Sequence, residues 1–189
     1  MTELYLVEKA KAFAAISHDG QMYGAEPYMV HLDAVAQIVS GDNTAVVIAY
    51  LHDVVEDTPV TLLDIATCFG GFIAECVGIL TDEPGGNRKE RKAKSHAKLS
   101  KVMPEHYTAL KVKTADRLAN LRACVSAQGN MRLFEMYRKE HIAFWGAVYR
   151  PELCEELWRE MDAIMLLGSK KTKEKEWNGR SGMNSIIAT

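Results

Sequence analysis

Apolar residues recur along most of this chain at the three-to-four-residue spacing of amphipathic helices. The pattern predicts helices over 4–14, 29–39, 44–55, 62–69, 72–80, 105–125, 131–149 and 151–167. Polar or glycine-rich breaks, such as Pro84-Gly85-Gly86-Asn87, separate them. No internal repeat and no strand-hairpin pattern is evident. The sequence therefore predicts an all-α protein that folds as a single helical bundle.

The segment 44–55 differs from the other helices because it is apolar on nearly every side. A helix of this kind lies in the middle of a bundle, where it has no solvent-facing stripe. Its β-branched residues would also suit a buried parallel strand. We prefer the helix because neither a glycine-rich turn nor βαβ alternation surrounds the segment.

Length and composition place the chain among ordinary globular proteins. Its 189 residues suffice for one compact domain, and 48% are hydrophobic and 25% charged. The formal net charge of −2 lacks the basic excess that a nucleic-acid or membrane surface requires, so we expect neither as the main partner. We assign 1–167 to the domain and 168–189, which is rich in lysine and then in glycine and serine, to a polar tail expected to be disordered.

Cysteine usage and the N-terminus bear on the compartment. The four cysteines include no Cys-x-x-Cys pair and are too sparse for a disulfide scaffold. The first residues have no apolar signal-peptide core, and no stretch approaches the ~20 apolar residues of a membrane span. We therefore expect a reduced, cytoplasmic protein. The sequence does not indicate its oligomeric state.

A cluster of polar side chains interrupts the otherwise apolar central helix. His52 and Glu56 are one helical turn apart, and so are Asp53 and Asp57. Burying three carboxylates and an imidazole is costly unless a cation compensates, and a metal ion does so directly. The alternative is a polar patch at a helix end that merely reaches solvent.

Two further residues favour the metal hypothesis. His31 lies early in the predicted helix 29–39, and Asp116 lies on the helix 105–125 with Asn120 one turn later. Taken singly, the histidine is typical of a hydrogen-bonded core residue and the aspartate of a partner for arginine. Together with His52 and Asp53 they form a mixed nitrogen and oxygen set, typical of Mn²⁺ or Fe²⁺ with positions open to water.

The order of these residues resembles the signature of the HD-domain metal-dependent phosphohydrolases. The HD-x-x-ED extension is similar to the hydrolase branch of the RelA/SpoT family, which includes small stand-alone alarmone hydrolases. The resemblance spans about 10–167 and rests on His18-x-Gly20-Gln21, Pro27-Tyr28-x-x-His31, the segment 51–58, Phe69-Gly70 and Ala115-Asp116-x-Leu118-x-Asn120-Leu121.

The resemblance implies an HD-domain helical bundle that removes the 3′-pyrophosphate of (p)ppGpp to leave GDP or GTP. It assigns one divalent ion, expected to be Mn²⁺, to four ligands: His31, His52, Asp53 and Asp116. A divalent ion lowers the pKa of bound water and stabilises charge on phosphoryl oxygens.

The remaining assignments concern the water and the nucleotide. The resemblance implies that Glu56 and Asp57 orient and deprotonate the attacking water, and that Asn120 contacts the nucleotide. Arg88 stands where the family has a lysine that reaches substrate phosphate, and arginine has bidentate geometry for the same task. We interpret the rest of the basic run, including Lys92, as a solvated helix face.

The chain departs from the family at positions that bear on base specificity. A basic residue usually follows the Gly-Gln pair, but here Tyr23 is the only side chain suited to stacking on a purine. The family's later tyrosine is replaced in the segment 141–145, and we interpret Tyr137 as a packing residue. Of Lys113 and Arg117, which flank Asp116, we expect one to face solvent.

Three hypotheses therefore stay open. The first is the alarmone hydrolase. The second keeps the metal chemistry but takes another phosphorylated nucleotide, such as NADPH. The third is a nucleotide-binding regulatory protein without turnover; the retained acidic pair argues against it, because a pure binder needs no acid–base groups beside the metal.

Overall fold

The computed structural model describes residues 3–126 and 128–168, which fold into packed α-helices. The helices are α1 (Glu3–Ser17), α2 (Met29–Ile38), α3 (Asn43–Leu51), α4 (Val54–Asp57), α5 (Leu62–Phe69), α6 (Gly71–Leu80), α7 (Arg88–Leu99), α8 (Tyr107–Val125), α9 (Met131–Val148) and α10 (155–168). The all-α prediction is confirmed. The predicted tail lies, from residue 169 onward, outside the described residues.

Helix α3 is the central element, as its uniform apolarity predicted. It packs against α1, α2, α6 and α8, and every residue from Ala45 to Leu51 is buried. Its first turn is held by Asp42, whose carboxylate accepts a hydrogen bond from the backbone N–H of Ala45 at 3.1 Å. Burial on all sides fixes the position of the residues that follow α3.

The central helix ends four residues earlier than the sequence predicted. His52 and Asp53 lie between α3 and α4 instead of inside one helix over 44–55. The Nδ1–H of His52 donates to the carbonyl of Ala49 at 2.7 Å. In a continuous helix that carbonyl would accept from the backbone N–H of Asp53, so the imidazole replaces a backbone bond at the break.

Local signals set the boundaries of α5. Thr61 and Asp64 form a complete capping box, in which each side chain accepts from the other residue's backbone N–H. Gly70, with φ of 93°, then separates α5 from α6. The predicted helix 62–69 matches the observed Leu62–Phe69 because these signals lie within the segment itself.

A short hairpin between α1 and α2 was not predicted. Strands β1 (Met22–Tyr23) and β2 (Glu26–Pro27) pair antiparallel, with Tyr23 opposite Glu26. Gly24 makes the turn at φ of 65°, a region that glycine enters without steric cost. Two-residue strands are too short to show an alternating pattern, which explains why the sequence analysis missed them.

None of the helices within residues 3–126 and 128–168 is both long and apolar enough to cross a bilayer.

Candidate metal centre

Side chains from three separate segments converge on one point beside the central helix. His31 comes from α2, His52 and Asp53 from the break after α3, and Asp116 from α8. Both imidazoles are buried, with relative exposures of 3% and 1%. The two carboxylates reach the same place from the side that remains open to solvent.

Three of the candidate ligands form one tight group: the ligand atoms of His31, His52 and Asp53 all lie within 4.8 Å of one another. His52 Nε2 lies 3.1 Å from Asp53 Oδ2, and His31 Nε2 lies 3.9 Å from the same oxygen. Asp116 Oδ1 lies beside this group, 3.4 Å from His31 Nε2 and 3.8 Å from His52 Nε2. Metal–ligand bonds of ~2.0–2.2 Å place adjacent ligands about 3 Å apart and opposite ligands about 4.3 Å apart, so these histidine–carboxylate distances suit a common divalent ion.

The tautomer of His52 supports the same conclusion. Because Nδ1 donates to a carbonyl, neutral His52 carries a lone pair on Nε2. That Nε2 is fully buried and, within the described residues, no group meets it at hydrogen-bonding geometry. A buried lone pair that faces two carboxylates requires a cation or a proton between them. The donor set therefore fits a divalent metal ion.

The pKa values of the His52, Asp53 and Asp116 side chains indicate the same demand for positive charge. Burial opposes protonation of His52, but the charges of Asp53 and Asp116 outweigh burial and raise its pKa to about 9. Burial likewise favours neutral carboxyls, yet the adjacent cationic groups lower the pKa of Asp53 and of Asp116 below their ordinary values. The carboxylates are therefore ionised and ready to bind a cation.

Tyr28, next to α2, and Asn120 on α8 donate the hydrogen bonds that orient these carboxylates, and Tyr23 of the hairpin bonds Asn120. The Tyr28 hydroxyl donates to Asp53 Oδ2 at 2.5 Å. Asn120 Nδ2 donates to Asp116 Oδ1 at 2.6 Å, and the Tyr23 hydroxyl donates to Asn120 Oδ1 at 2.9 Å. Groups that orient metal ligands in this way tune metal affinity. Asn120 and Tyr23 thus lie beside the candidate ligands. Asn120 bonds Asp116, and Tyr23 bonds Asn120.

Replacing Tyr28 by phenylalanine is expected to weaken Mn²⁺ binding by about ten- to a hundredfold. The ring would keep its stacking on His18, at 4.7 Å between centroids, while Asp53 would lose its donor. Isothermal titration with Mn²⁺ measures the change. Tyr50→Phe is the matched control, because the Tyr50 hydroxyl makes the same kind of bond to Asp33, away from the site. Equal Mn²⁺ affinity in wild type and Tyr28→Phe would contradict the orienting role.

The predicted acid–base pair lies on α4, one turn beyond the break. Glu56 lines the same cavity as His31, Asp53 and Asp116, and its Oε2 accepts from the backbone N–H of Asp82 at 3.1 Å. Asp57 accepts from Gln21 Nε2 at 2.9 Å and is not among the described residues that line the cavity. The two acids therefore face different surroundings, and only Glu56 shares the space above the ligands.

The metal cavity, with a volume of about 190 Å³, also has a cationic wall. Its basic residues are Arg88, Lys92, Lys113 and Arg117. Arg88 was predicted to be there. Lys92 was expected on a solvated helix face, but it lines the cavity, and its Nζ lies 2.6 Å from Asp82 Oδ2. The expectation that Lys113 or Arg117 faces solvent is wrong, since their side chains are 11% and 7% exposed.

A second cavity adjoins the first. This side cavity has a volume of about 450 Å³ and is bounded mainly by the hairpin, the end of α8 and the start of α9. Tyr23, Asn120 and Tyr137 line both cavities, so the two are neighbours across a shared wall. Tyr137 is therefore more than the packing residue the sequence analysis described. The ring of Tyr23 stacks on His31, with centroids 4.9 Å apart.

Besides Lys92, two contributors to the site were not predicted from the sequence, namely Tyr28 and Glu140. Tyr28 stood in a quoted motif, and its position three residues before a ligand was the available signal. Glu140 had no local signal. It binds Arg88 across 52 residues of sequence, which helix periodicity does not detect.

The packed helices bring histidine and aspartate together as a mixed nitrogen and oxygen donor set that could hold a metal ion. Residues 10–139 match the family model described as HD domain, and the chain belongs to that family. It is 34% identical over 133 residues to the bifunctional (p)ppGpp synthase/hydrolase SpoT of Escherichia coli, an alignment that covers 67% of this chain. It is 35% identical over 123 residues, 61% of this chain, to a guanosine-3′,5′-bis(diphosphate) 3′-pyrophosphohydrolase of Haemophilus influenzae.

A solved structure shares the fold. It is of a metazoan ortholog of SpoT that hydrolyses ppGpp, with a TM-score of 0.72 and 24% identity, covering 86% of this chain and 94% of the other. The two bacterial relatives are much longer, and the alignments cover only 19% and 18% of their lengths.

Proposed function

We propose that this protein is a metal-dependent hydrolase that removes the 3′-pyrophosphate of (p)ppGpp, giving GDP or GTP and pyrophosphate. The observation that carries the proposal is the convergence of four nitrogen and oxygen donors on one point, with an acid–base carboxylate and a cationic wall in the same cavity. The names of the two bacterial relatives and of the structural neighbour support the choice of substrate.

His31, His52, Asp53 and Asp116 would hold the ion, for which we propose Mn²⁺. When bound, a divalent ion activates water and offsets charge on phosphoryl oxygens. Glu56 would accept a proton from the attacking water, whose oxygen bonds to phosphorus as the bond between that phosphorus and the ribose 3′ oxygen breaks; the 3′ oxygen takes up a proton from solvent and leaves as the hydroxyl of GDP or GTP. Asp57 accepts a hydrogen bond from Gln21 and assists Glu56 from outside the cavity.

The two adjoining cavities suit a nucleotide. A pyrophosphoryl group would lie among the ligands and the basic residues of the metal cavity. Asn120 and the rings of Tyr23 and Tyr137, on the shared wall, suit contacts with the ribose or base. The side cavity, at about 450 Å³, has room for the planar base of a nucleotide.

A second substrate is favoured by one observation. Among the described residues that line the side cavity, Glu26 is the sole charged side chain, so no cation faces a base there. Hydrolysis of another phosphorylated nucleotide, such as NADPH, is therefore the alternative. A regulatory protein that binds nucleotide without turnover is the third candidate.

One assay separates these candidates. The Mn²⁺-loaded protein is incubated in parallel with ppGpp, NADPH and GTP, and the products are resolved by anion-exchange chromatography. Pyrophosphate and GDP from ppGpp alone are expected. Turnover of NADPH without turnover of ppGpp would overturn the proposed substrate. Binding without turnover of any of the three nucleotides would overturn the proposed enzymatic activity.

With divalent metal removed by a chelator, the Glu56 carboxyl is expected to titrate above pH 4.5, the ordinary pKa of glutamate. Loss of water around Glu56 raises its pKa, as do the charges of Asp82 and Asp53, whereas the Asp82 backbone N–H and Lys113 oppose the rise. The chelated protein is used because a bound divalent ion lowers the pKa of a nearby carboxyl. The measurement is the infrared carboxyl band against pH, with Glu56→Gln to assign the signal. A pKa at or below 4.5 would contradict the expected direction.

A further inference from the structure

Two of the four basic residues of the metal cavity meet one carboxylate on another helix. Arg88, the first residue of α7, donates from Nε to Glu140 Oε1 at 2.8 Å and from Nη2 to Oε2 at 3.1 Å. Arg117 Nη1, from α8, lies 3.6 Å from the same Oε2. A carboxylate that meets two guanidinium groups at once joins three helices at the wall of the cavity.

Arg117 lies between two aromatic rings and beside the Glu140 carboxylate. Its guanidinium lies 4.5 Å from the ring centre of Tyr137 and 4.4 Å from that of Phe144. Tyr137, Glu140 and Phe144 follow one another along α9 at helical spacing, so a single stripe of α9 supplies both aromatic faces and the carboxylate. Arg117 is 6% exposed and, within the described residues, its Nη1 has no hydrogen-bond partner.

Arg88 is held by one edge only. Its described hydrogen bonds use Nε and Nη2, and none of them uses Nη1. The side chain is 39% exposed and lines the metal cavity. A long side chain in this position would otherwise sample many rotamers, and ordering it on ligand binding costs free energy. The pairing with Glu140 removes that cost before the ligand arrives.

We propose that Glu140 is a positioning residue for substrate phosphate: it holds Arg88 and Arg117 on one wall of the metal cavity, so that Arg88 presents Nη1 to the pyrophosphoryl group. The inference rests on the proposed function, because it names how that site binds its substrate. Glu140 itself touches neither the reacting atoms nor the metal ligands in any described contact.

The test is a double-mutant cycle with Glu140→Gln and Arg88→Met. The probe is the Mn²⁺ complex of inorganic pyrophosphate, titrated calorimetrically into the Mn²⁺-loaded protein. Glu140→Gln is expected to weaken binding by about tenfold, because the neutral amide cannot hold the guanidinium fork. In the Arg88→Met background the same change is expected to alter binding less than twofold, because the residue it positions is gone.

Two further variants keep the test decisive. Glu140→Asp retains the charge beside buried Arg117, which protects folding, and is expected to restore part of the affinity lost in Glu140→Gln. Glu135→Gln is the matched control, since Glu135 lies on the same helix and pairs with Arg138 at 2.7 Å. It is expected to leave pyrophosphate binding unchanged.

The kinetic counterpart is a rise in KM for ppGpp of about tenfold in Glu140→Gln, with kcat changed less than twofold. Unchanged or tighter pyrophosphate binding in Glu140→Gln, or an equal loss with and without Arg88, would overturn the inference; a fall in melting temperature alone, with binding intact, would show a purely structural role. Should the binding result hold while ppGpp is not hydrolysed, the proposed function fails and the positioning role stands.

Discussion

Replacing Asp53 by alanine is expected to abolish Mn²⁺ binding and hydrolysis together. Asp53 Oδ2 is 3.1 Å from one imidazole nitrogen and 3.9 Å from the other, so its loss removes the carboxylate nearest to His52. A metal ion supplies several kcal/mol of transition-state stabilisation, and its loss lowers kcat/KM by at least about a thousandfold. Titration calorimetry with Mn²⁺ and steady-state ppGpp hydrolysis measure the two effects.

The comparison for Asp53→Ala is Asp33→Ala. Asp33 is half-exposed and bonds Lys11 and Tyr50 away from the centre. It should retain metal binding and activity. An Asp53→Ala protein that folds and still binds Mn²⁺ with wild-type affinity would exclude Asp53 as a ligand.

Replacing Glu56 by glutamine is expected to lower kcat by about 10²- to 10⁴-fold while Mn²⁺ affinity stays within about threefold. Glutamine can still accept the hydrogen bond from the Asp82 backbone N–H, so the local structure persists. What disappears is the capacity to take a proton. Pre-steady-state or steady-state kcat, measured beside metal titrations, separates this effect from metal loss.

Asp57→Asn is the informative partner of this variant. Because Glu56 lines the cavity and Asp57 is engaged by Gln21, Glu56→Gln should cost more activity than Asp57→Asn. The opposite order would transfer the proton-accepting role to Asp57. Full activity in Glu56→Gln would exclude it as the base.

The helix pattern could be predicted well because its signals are local. The capping box at Thr61 and Asp64 lies inside the segment it controls, and it placed α5 at its observed bounds. The break at His52 and Asp53 could not be found in this way. A helix of apolar residues continues by default, and the break involves an imidazole that bonds a carbonyl three residues back.

The residue types of the candidate ligands can be recognised in the sequence, because histidine and aspartate on predicted helices stand out as a set. Their convergence required the packing of α2, α3 and α8 around a buried centre. The partners of the basic residues could not be predicted from the sequence, for the same reason. Arg88 and Glu140 meet only when α7 packs on α9, and nothing local to either residue predicts that contact.

The sequence by itself determined the helical class, most helix boundaries and the kinds of side chain available for metal and proton chemistry. Hydrophobic periodicity and helix capping act within a few residues, so both can be recognised in the sequence. The tertiary structure alone decided where the central helix breaks, which carboxylates have orienting donors and which cations line the cavity. Those features arise from contacts between residues far apart in sequence, whose geometry is set by how whole helices pack.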